Sequence, residues 1–160
     1  MEKEIEFLRK IGCEKIPHDS RNLLTHLIGV YKLLYDYGRP EHEQRAGLFH
    51  AIYGTEFYAP GLVITREAVK KNIGEEAEEI VYNFCETRGE RRMRFMGGIE
   101  FKEPLKTSLR WLDFCNIIEQ HNIEGDIPLQ NVVHVYETVL NISKRPVSYT
   151  HLTLPTICSV

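Results

Sequence analysis

Two histidines stand inside apolar stretches whose spacing is typical of helices. His26 lies one turn before Val30, and His50 follows Ala46 and Gly47, two small residues that permit close approach to a neighbouring helix. Two imidazoles on adjacent antiparallel helices can converge on one metal ion, since histidine is a common ligand of Zn, Fe, Ni and Mn. The alternative is a pair of core histidines, each hydrogen-bonded to a backbone carbonyl or a hydroxyl. The spacing alone leaves both interpretations open.

A carboxylate lies among leucines further along the chain. Asp113 and Asn116 share the inner face of a predicted helix with Leu105, Leu109 and Leu112. Burying an unpaired charge costs several kcal/mol, so a buried Asp113 needs a partner, which either a metal ion or an arginine would supply. The alternative places Asp113 at the solvent edge of the apolar stripe.

Loops beside the two histidines carry further candidates. His18 and Glu56 are the candidate catalytic residues, because either could fold over the same pocket and complete or assist a metal site. Tyr53 and Thr55 flank Gly54, which can turn the chain and leave them at the rim, where they would bind a substrate. The alternatives are exposed loop side chains for the first pair and a simple helix C-cap at Gly54.

Arginines are dense in one segment only, at positions 88, 91, 92 and 94. Arginine offers paired donors for phosphate or carboxylate groups, so Arg91 and Arg92 are candidates for holding a phosphorylated or acidic small molecule. Solvated loop charge is the alternative, since Glu86 and Glu90 offset part of the cluster. The interleaved Phe95 indicates a hairpin or lid and not a nucleic-acid surface.

The arrangement of His26, His50 and Asp113 resembles the HD-domain superfamily, whose members bind one or two divalent metals with an H…HD…D set and mostly hydrolyse phosphate esters. The element from His50 to Glu56, HAIYGTE, is similar to an uncharacterised HD-like family. The resemblance covers most of residues 1–146 and implies metal binding by these three residues. It departs from the pattern at Ala51, where the superfamily has an aspartate.

The resemblance implies a degenerate metal-centred pocket with phosphohydrolase-type chemistry on a small phosphorylated substrate. The remaining two-histidine, one-carboxylate set suits a single divalent ion such as Fe, Mn, Zn or Ni. An iron-dependent oxygenase-like activity is a variant, because a branch of the superfamily that resembles inositol oxygenase uses two irons. The alternatives without catalysis are an HD-like domain that binds a small molecule or a partner chain, and a helical interaction module whose histidines are structural.

The elements that must position these residues are predicted to be helices. Apolar residues recur at three- and four-residue spacing between Gly and Pro breaks, and no segment shows a convincing strand alternation. Asp19 or Ser20 can cap the second helix and Thr65 the fourth. The sequence therefore predicts an all-α, HD-domain-like bundle of six or seven helices. The predicted helices cover residues 2–11, 23–34, 41–53, 66–73, 75–87, 104–120 and 128–142.

Composition limits the classes of partner. The net charge of the chain is -3, which gives no basic excess for nucleic acid, and no apolar run is long enough for a membrane span or a signal peptide. Cys13, Cys85 and Cys115 are well separated and without a CxxC pair, which is typical of reduced thiols in a cytoplasmic protein.

Residues 147–160, VSYTHLTLPTICSV, resemble one reading frame of a sequencing adapter. We expect residues 1–146 to form one HD-like helical domain and exclude this tail from fold and function arguments. The alternative is a natural C-terminal strand, for which the helical pattern offers no partner.

Overall fold

The fold is a bundle of α-helices, which confirms the all-α prediction. The computed structural model describes residues 1–97, 100–121 and 125–143, and within these residues it has eight α-helices, one 3-10 helix at Cys13–Lys15 and one two-stranded antiparallel hairpin. The elements are α1 Glu2–Lys10, β1 Pro17–His18, β2 Arg21–Asn22, α2 Leu23–Asp36, α3 Glu41–Phe49, α4 Arg66–Ile73, α5 Glu75–Glu86, α6 Arg91–Met96, α7 Leu105–Gln120 and α8 Ile127–Val139.

Capping side chains fix where several helices begin. The Thr65 hydroxyl accepts a hydrogen bond from the Ala68 amide at 3.2 Å, as predicted, and Asp126 caps α8 by accepting from the Leu129 amide at 2.9 Å. The predicted cap of α2 at Asp19 or Ser20 is wrong. Asn22 serves instead, because residues 17–22 form the hairpin and the helix starts only after its second strand.

The three largest differences from the predicted helices lie at α6, at the end of α3 and at the end of α8. Residues 91–96 form α6, where the sequence indicated an irregular segment. The helix α3 ends at Phe49, so His50 is its C-cap residue and not an internal one; beyond it the amide of Ile52 bonds to the carbonyl of Phe49 three residues earlier. The last helix, α8, ends at Val139 instead of residue 142, before Asn141 with its positive φ.

The helix α2 lies at the centre of the bundle and packs against both α3 and α7. Its buried stripe includes Leu27, Val30 and Leu34, which are at most 1 % exposed. Gly47 on α3 allows α2 to approach closely, as the absence of a side chain predicted. A Cβ built there would lie 2.5 Å from Leu34 Cδ1. This packing of α2 on α3 holds His26 and His50 in one layer of the core.

Three predictions about the rest of the chain have separate outcomes. Cys13, Cys85 and Cys115 are buried free thiols. Within the described residues, no helix combines the length and apolar character that crossing a membrane requires. The adapter-like segment at residues 147–160 lies outside the described residues.

Candidate functional site

The structure brings the two histidines together in the core. Nε2 of His26 lies 3.0 Å from Nε2 of His50, and the two side chains are 1 % and 2 % exposed. Their rings meet edge to face, with centroids 4.9 Å apart. The two nitrogen atoms that approach each other therefore lie inside the protein, in side chains that line an internal cavity.

The other nitrogen of each ring has a fixed partner. Nδ1 of His50 donates to the carbonyl oxygen of Gly47 at 2.8 Å, and Nδ1 of His26 bonds to Oε2 of Glu119. Arg21 donates to both carboxylate oxygens of Glu119 at 2.6 Å, which favours the ionised carboxylate as acceptor for His26. With both Nδ1 atoms protonated, the two Nε2 lone pairs would face each other, an arrangement that a cation between them would satisfy. With Nε2 of His26 protonated instead, it donates to Nε2 of His50 at the same 3.0 Å.

Burial determines the charge state of the pair. It lowers the pKa of His26 to about 3 and the pKa of His50 well below its usual value, so both imidazoles are neutral at physiological pH. Burial also raises the pKa of Glu119 to about 7, and the Arg21 guanidinium opposes that rise. Neutral imidazoles with outward lone pairs are the form that binds metal ions.

Asn116, and not Asp113, is the side chain of α7 that reaches the facing Nε2 atoms of the histidines. Its Oδ1 lies 3.1 Å from Nε2 of His50. The predicted set of His26, His50 and Asp113 is thus not assembled, because Asp113 lies one turn earlier on α7. Among the residues that the structure describes, no group of three or more His, Cys, Asp or Glu side chains could hold a metal ion. What converges is two imidazole nitrogens and one carboxamide oxygen.

Asp113 is instead enclosed by arginines and a tyrosine. It is fully buried; Nη2 of Arg91 donates to its Oδ1 at 3.4 Å, and Nε of Arg92 lies 3.5 Å from its Oδ2. The Tyr136 hydroxyl of α8 donates to Oδ2 at 2.7 Å. The sequence left a metal or an arginine as the partner of a buried Asp113, and the structure supplies arginine. The carboxylate in turn raises the pKa of Tyr136, as burial does.

The predicted loop residues divide between the pocket and its surroundings. The ring of His18 stacks on His26 with centroids 4.2 Å apart and planes 8° from parallel, and Thr55 lines the same cavity. Glu56 is exposed and does not line the cavity. The Tyr53 hydroxyl donates to the buried Glu78 at 3.0 Å, so Tyr53 faces away from the cavity. The structure therefore places neither Tyr53 nor Glu56 at the cavity, because the turn at Gly54 directs both side chains away from it.

A cavity of about 670 Å³ joins these groups. Its wall includes the histidines, Ala51, Phe84, Arg91, Arg92 and Asn116, together with the exposed Phe57 and Met93. The volume suits a metabolite-sized ligand with part of its surface apolar. The two predicted substrate-binding arginines thus lie on the same cavity as the histidine pair.

Sequence reasoning missed three contributors to this site. Glu119 and Arg21 orient His26, and Tyr136 holds Asp113, although no pairwise spacing links them to their partners. One signal existed on α7, where residues 113, 116 and 119 recur every three positions and so lie near one face of the helix. Gly29 is a second signal, since a Cβ at that position would overlap the Glu119 side chain.

The comparisons with known proteins identify the family but give no activity. A family described as Domain of unknown function (DUF6817) matches residues 7–88, just over half of the chain. The chain belongs to this family. No curated protein and no solved structure matches it. The matched DUF6817 segment contains both histidines, Ala51 and His18, whereas Asn116, Asp113 and Glu119 lie beyond it.

Proposed function

We propose that the cavity binds one divalent metal ion through His26, His50 and Asn116 and acts on a small phosphorylated substrate, as an HD-like hydrolase with an altered ligand set. The observation that carries the proposal is the pair of facing Nε2 atoms, 3.0 Å apart, whose rings are each fixed at Nδ1 by a carbonyl or a carboxylate. Metal-binding histidines commonly donate their second N–H to such a partner, which fixes the ring and makes it a better ligand.

The residues present fit a metal ion with open coordination positions. Two imidazoles and a carboxamide are three protein ligands, the number typical of catalytic sites. A divalent ion held there would polarise a phosphoryl oxygen and lower the pKa of a bound water. The protein's own side chains orient the ligands through Glu119, enclose the site with Phe84 and place His18 on His26, where it can accept or donate a proton near the reacting group.

The neutral ligand set distinguishes this proposed site from the HD-domain superfamily that the sequence resembles. Ala51 stands beside His50 and is 3 % exposed, so no carboxylate enters at that position. A metal bound by neutral ligands keeps its full double charge, which weakens retention of the ion but strengthens attraction to a phosphate. The iron oxygenase variant receives less support, because Asp113 is engaged by Arg91 and Arg92.

Metal loading of the full chain tests the proposal. Purified protein is dialysed against Mn, Fe, Zn or Ni, desalted and analysed by mass spectrometry of the metal. We expect about one equivalent for wild type and loss of it in His50→Ala, with no loss in His134→Ala, whose side chain is 79 % exposed. Occupancy below about a tenth of an equivalent for every metal, or equal loss in both variants, contradicts it. Hydrolysis of p-nitrophenyl phosphate by the loaded protein then measures the reaction.

The second candidate is a metal-free pocket that binds a small molecule, which Ala51 favours. It predicts that metal leaves the melting temperature unchanged while a metabolite raises it.

For either candidate we propose the cytoplasm as the compartment, because the free thiols of Cys13, Cys85 and Cys115 suit a reducing environment.

A further inference from the structure

The guanidinium groups of Arg91 and Arg92 on the cavity wall have more enclosed donors than the described residues offer acceptors for them. Within the described part of the chain, Nε and Nη1 of Arg91 and Nε of Arg92 are enclosed atoms without a hydrogen-bond partner. Arg91 is only 8 % exposed and lines the cavity, so an acceptor for these donors has to come from the cavity. Leaving a buried N–H unpaired is costly, and more so when the group is charged. Water or an anionic group of a ligand can supply the acceptor, and an anion also offsets the positive charge.

The net charge of the Arg91 and Arg92 cluster also favours an anion. One carboxylate, Asp113, faces both Arg91 and Arg92, so the cluster retains an excess of positive charge. Tyr136 donates a further hydrogen bond to Asp113 and competes with the arginines for its oxygens. Three carboxylates, of Asp19, Glu90 and Asp126, also line the cavity, but they are exposed and screened by water.

Phe84 links this cluster to the histidine pair. The Cζ atom of Arg91 lies 4.3 Å from the centre of the Phe84 ring, and the ring of His50 meets Phe84 edge to face with centroids 5.5 Å apart. One aromatic ring therefore separates the guanidinium from the candidate metal ligand. A metabolite-sized molecule can contact both within the same cavity.

We propose that Arg91 and Arg92 form an oxyanion subsite that holds a phosphate or carboxylate group of the pocket's ligand, with Asp113 and Tyr136 as the residues that position the two guanidinium groups. Planar guanidinium groups offer paired donors that match such anions. The inference rests on the proposed function for its choice of pocket and deepens it, since it assigns the charged end of the substrate to α6. It does not depend on the metal, because its contacts involve no metal ligand.

Phosphate binding to the full chain in the presence of a chelator tests the subsite without metal. Inorganic phosphate is compared with acetate, each against chloride at equal ionic strength, by melting temperature and calorimetric titration. At ten times the dissociation constant, we expect the preferred anion to raise the melting temperature by about 4 °C. Phosphate as the better anion assigns a phosphoryl group, and acetate assigns a carboxylate. A chain that responds to neither anion overturns the inference.

Arginine variants locate the binding. We expect Arg91→Gln to weaken anion binding by about tenfold or more and Arg92→Gln to weaken it less, because Arg92 is 41 % exposed. Arg88→Gln is the matched control, since Arg88 is exposed and belongs to the same arginine-rich segment. Equal binding by Arg91→Gln and wild type overturns the subsite, as does equal weakening by Arg88→Gln.

A measurement on wild type covers the case in which Arg91→Gln does not fold. Binding at the subsite shifts the ¹⁵N and ¹H resonances of the Arg91 and Arg92 Nε groups during the anion titration, and unchanged resonances overturn the inference. His50→Ala separates the two proposals. This variant should lose metal loading and keep anion binding. Anion binding by a wild-type chain that loads no metal leaves the subsite standing and removes the metal site. If Arg91→Gln loads metal and binds the anion as well as wild type does, the metal site stands and the subsite is overturned.

Discussion

A methyl group at Gly29 tests how α2 and α7 assemble the site. The three atoms nearest to a Cβ built on Gly29 all belong to Glu119. They are Oε1, Cγ at 2.7 Å and Cδ at 2.8 Å. The Glu119 side chain is 5 % exposed and bonded to both Arg21 and His26, so it cannot move aside without breaking those bonds. We therefore expect Gly29→Ala to displace Glu119 and to release the orientation of His26.

The expected magnitude follows from two opposed effects. Loss of a hydrogen bond to a charged partner costs about 1.5–3 kcal/mol, whereas Ala in place of Gly inside a helix contributes about 1 kcal/mol of stability. Gly29→Ala should thus lower the free energy of unfolding by about 0.5–2 kcal/mol and the melting temperature by about 1–8 °C. Urea denaturation followed by circular dichroism measures it.

The background of Glu119→Ala reverses the sign of this effect. With the carboxylate gone, the added methyl finds space, and Gly29→Ala should stabilise the chain by about 1 kcal/mol through helix propensity alone. Gly47→Ala is the control, because its Cβ would meet Leu34 and not Glu119, so it should destabilise in both backgrounds. A stabilising Gly29→Ala in the wild-type background would refute the reasoning.

Three further changes have defined outcomes. Glu119→Gln removes the charge beside His26 and should weaken metal binding by about 10–100-fold in a metal titration, while the exposed Glu67→Gln leaves it unchanged. Asp113→Asn leaves the buried arginines without their carboxylate and should cost about 3–5 kcal/mol in urea denaturation; a loss below about 1 kcal/mol contradicts the assigned cluster. Ala51→Asp adds a carboxylate beside His50, and we expect metal affinity to rise by about tenfold or more while the metal-free chain loses stability; unchanged affinity argues against the HD-like interpretation.

The fold was predictable because its signals are local. Apolar spacing, Gly and Pro breaks and the Thr65 cap depend on residues within one or two turns of each other. The end of α3 was not predictable to the residue, since the chain after Phe49 continues in i→i+3 turns that leave the apolar pattern intact. The helix α6 was not predicted, because it has no apolar pattern. Its six residues are rich in arginine, and only Arg91 and Phe95 are buried.

The site was predictable only where a residue's own surroundings revealed it. His26 and His50 stand on buried stripes, so their meeting followed from two helices packing together. Glu119 lies near the end of α7, where a glutamate normally faces water, and its role requires Arg21, which lies far away in the sequence. The choice between a metal and an arginine for Asp113 depended on where α6 packs, which no local pattern stated.

The three atoms proposed to hold the metal belong to neutral side chains, and this determines which ligand the site would select. Here Ala51 is apolar and Asn116 is neutral, so a bound dication would lack compensation from its ligands. Since buried charge is costly without a counterion, an anionic ligand becomes the natural partner of the ion. Arg91 adds positive charge on the other side of Phe84, so an anionic group beside Phe84 would be attracted from both ends. The exposed carboxylates of Asp19, Glu90 and Asp126 on the cavity wall oppose this attraction and are screened by water.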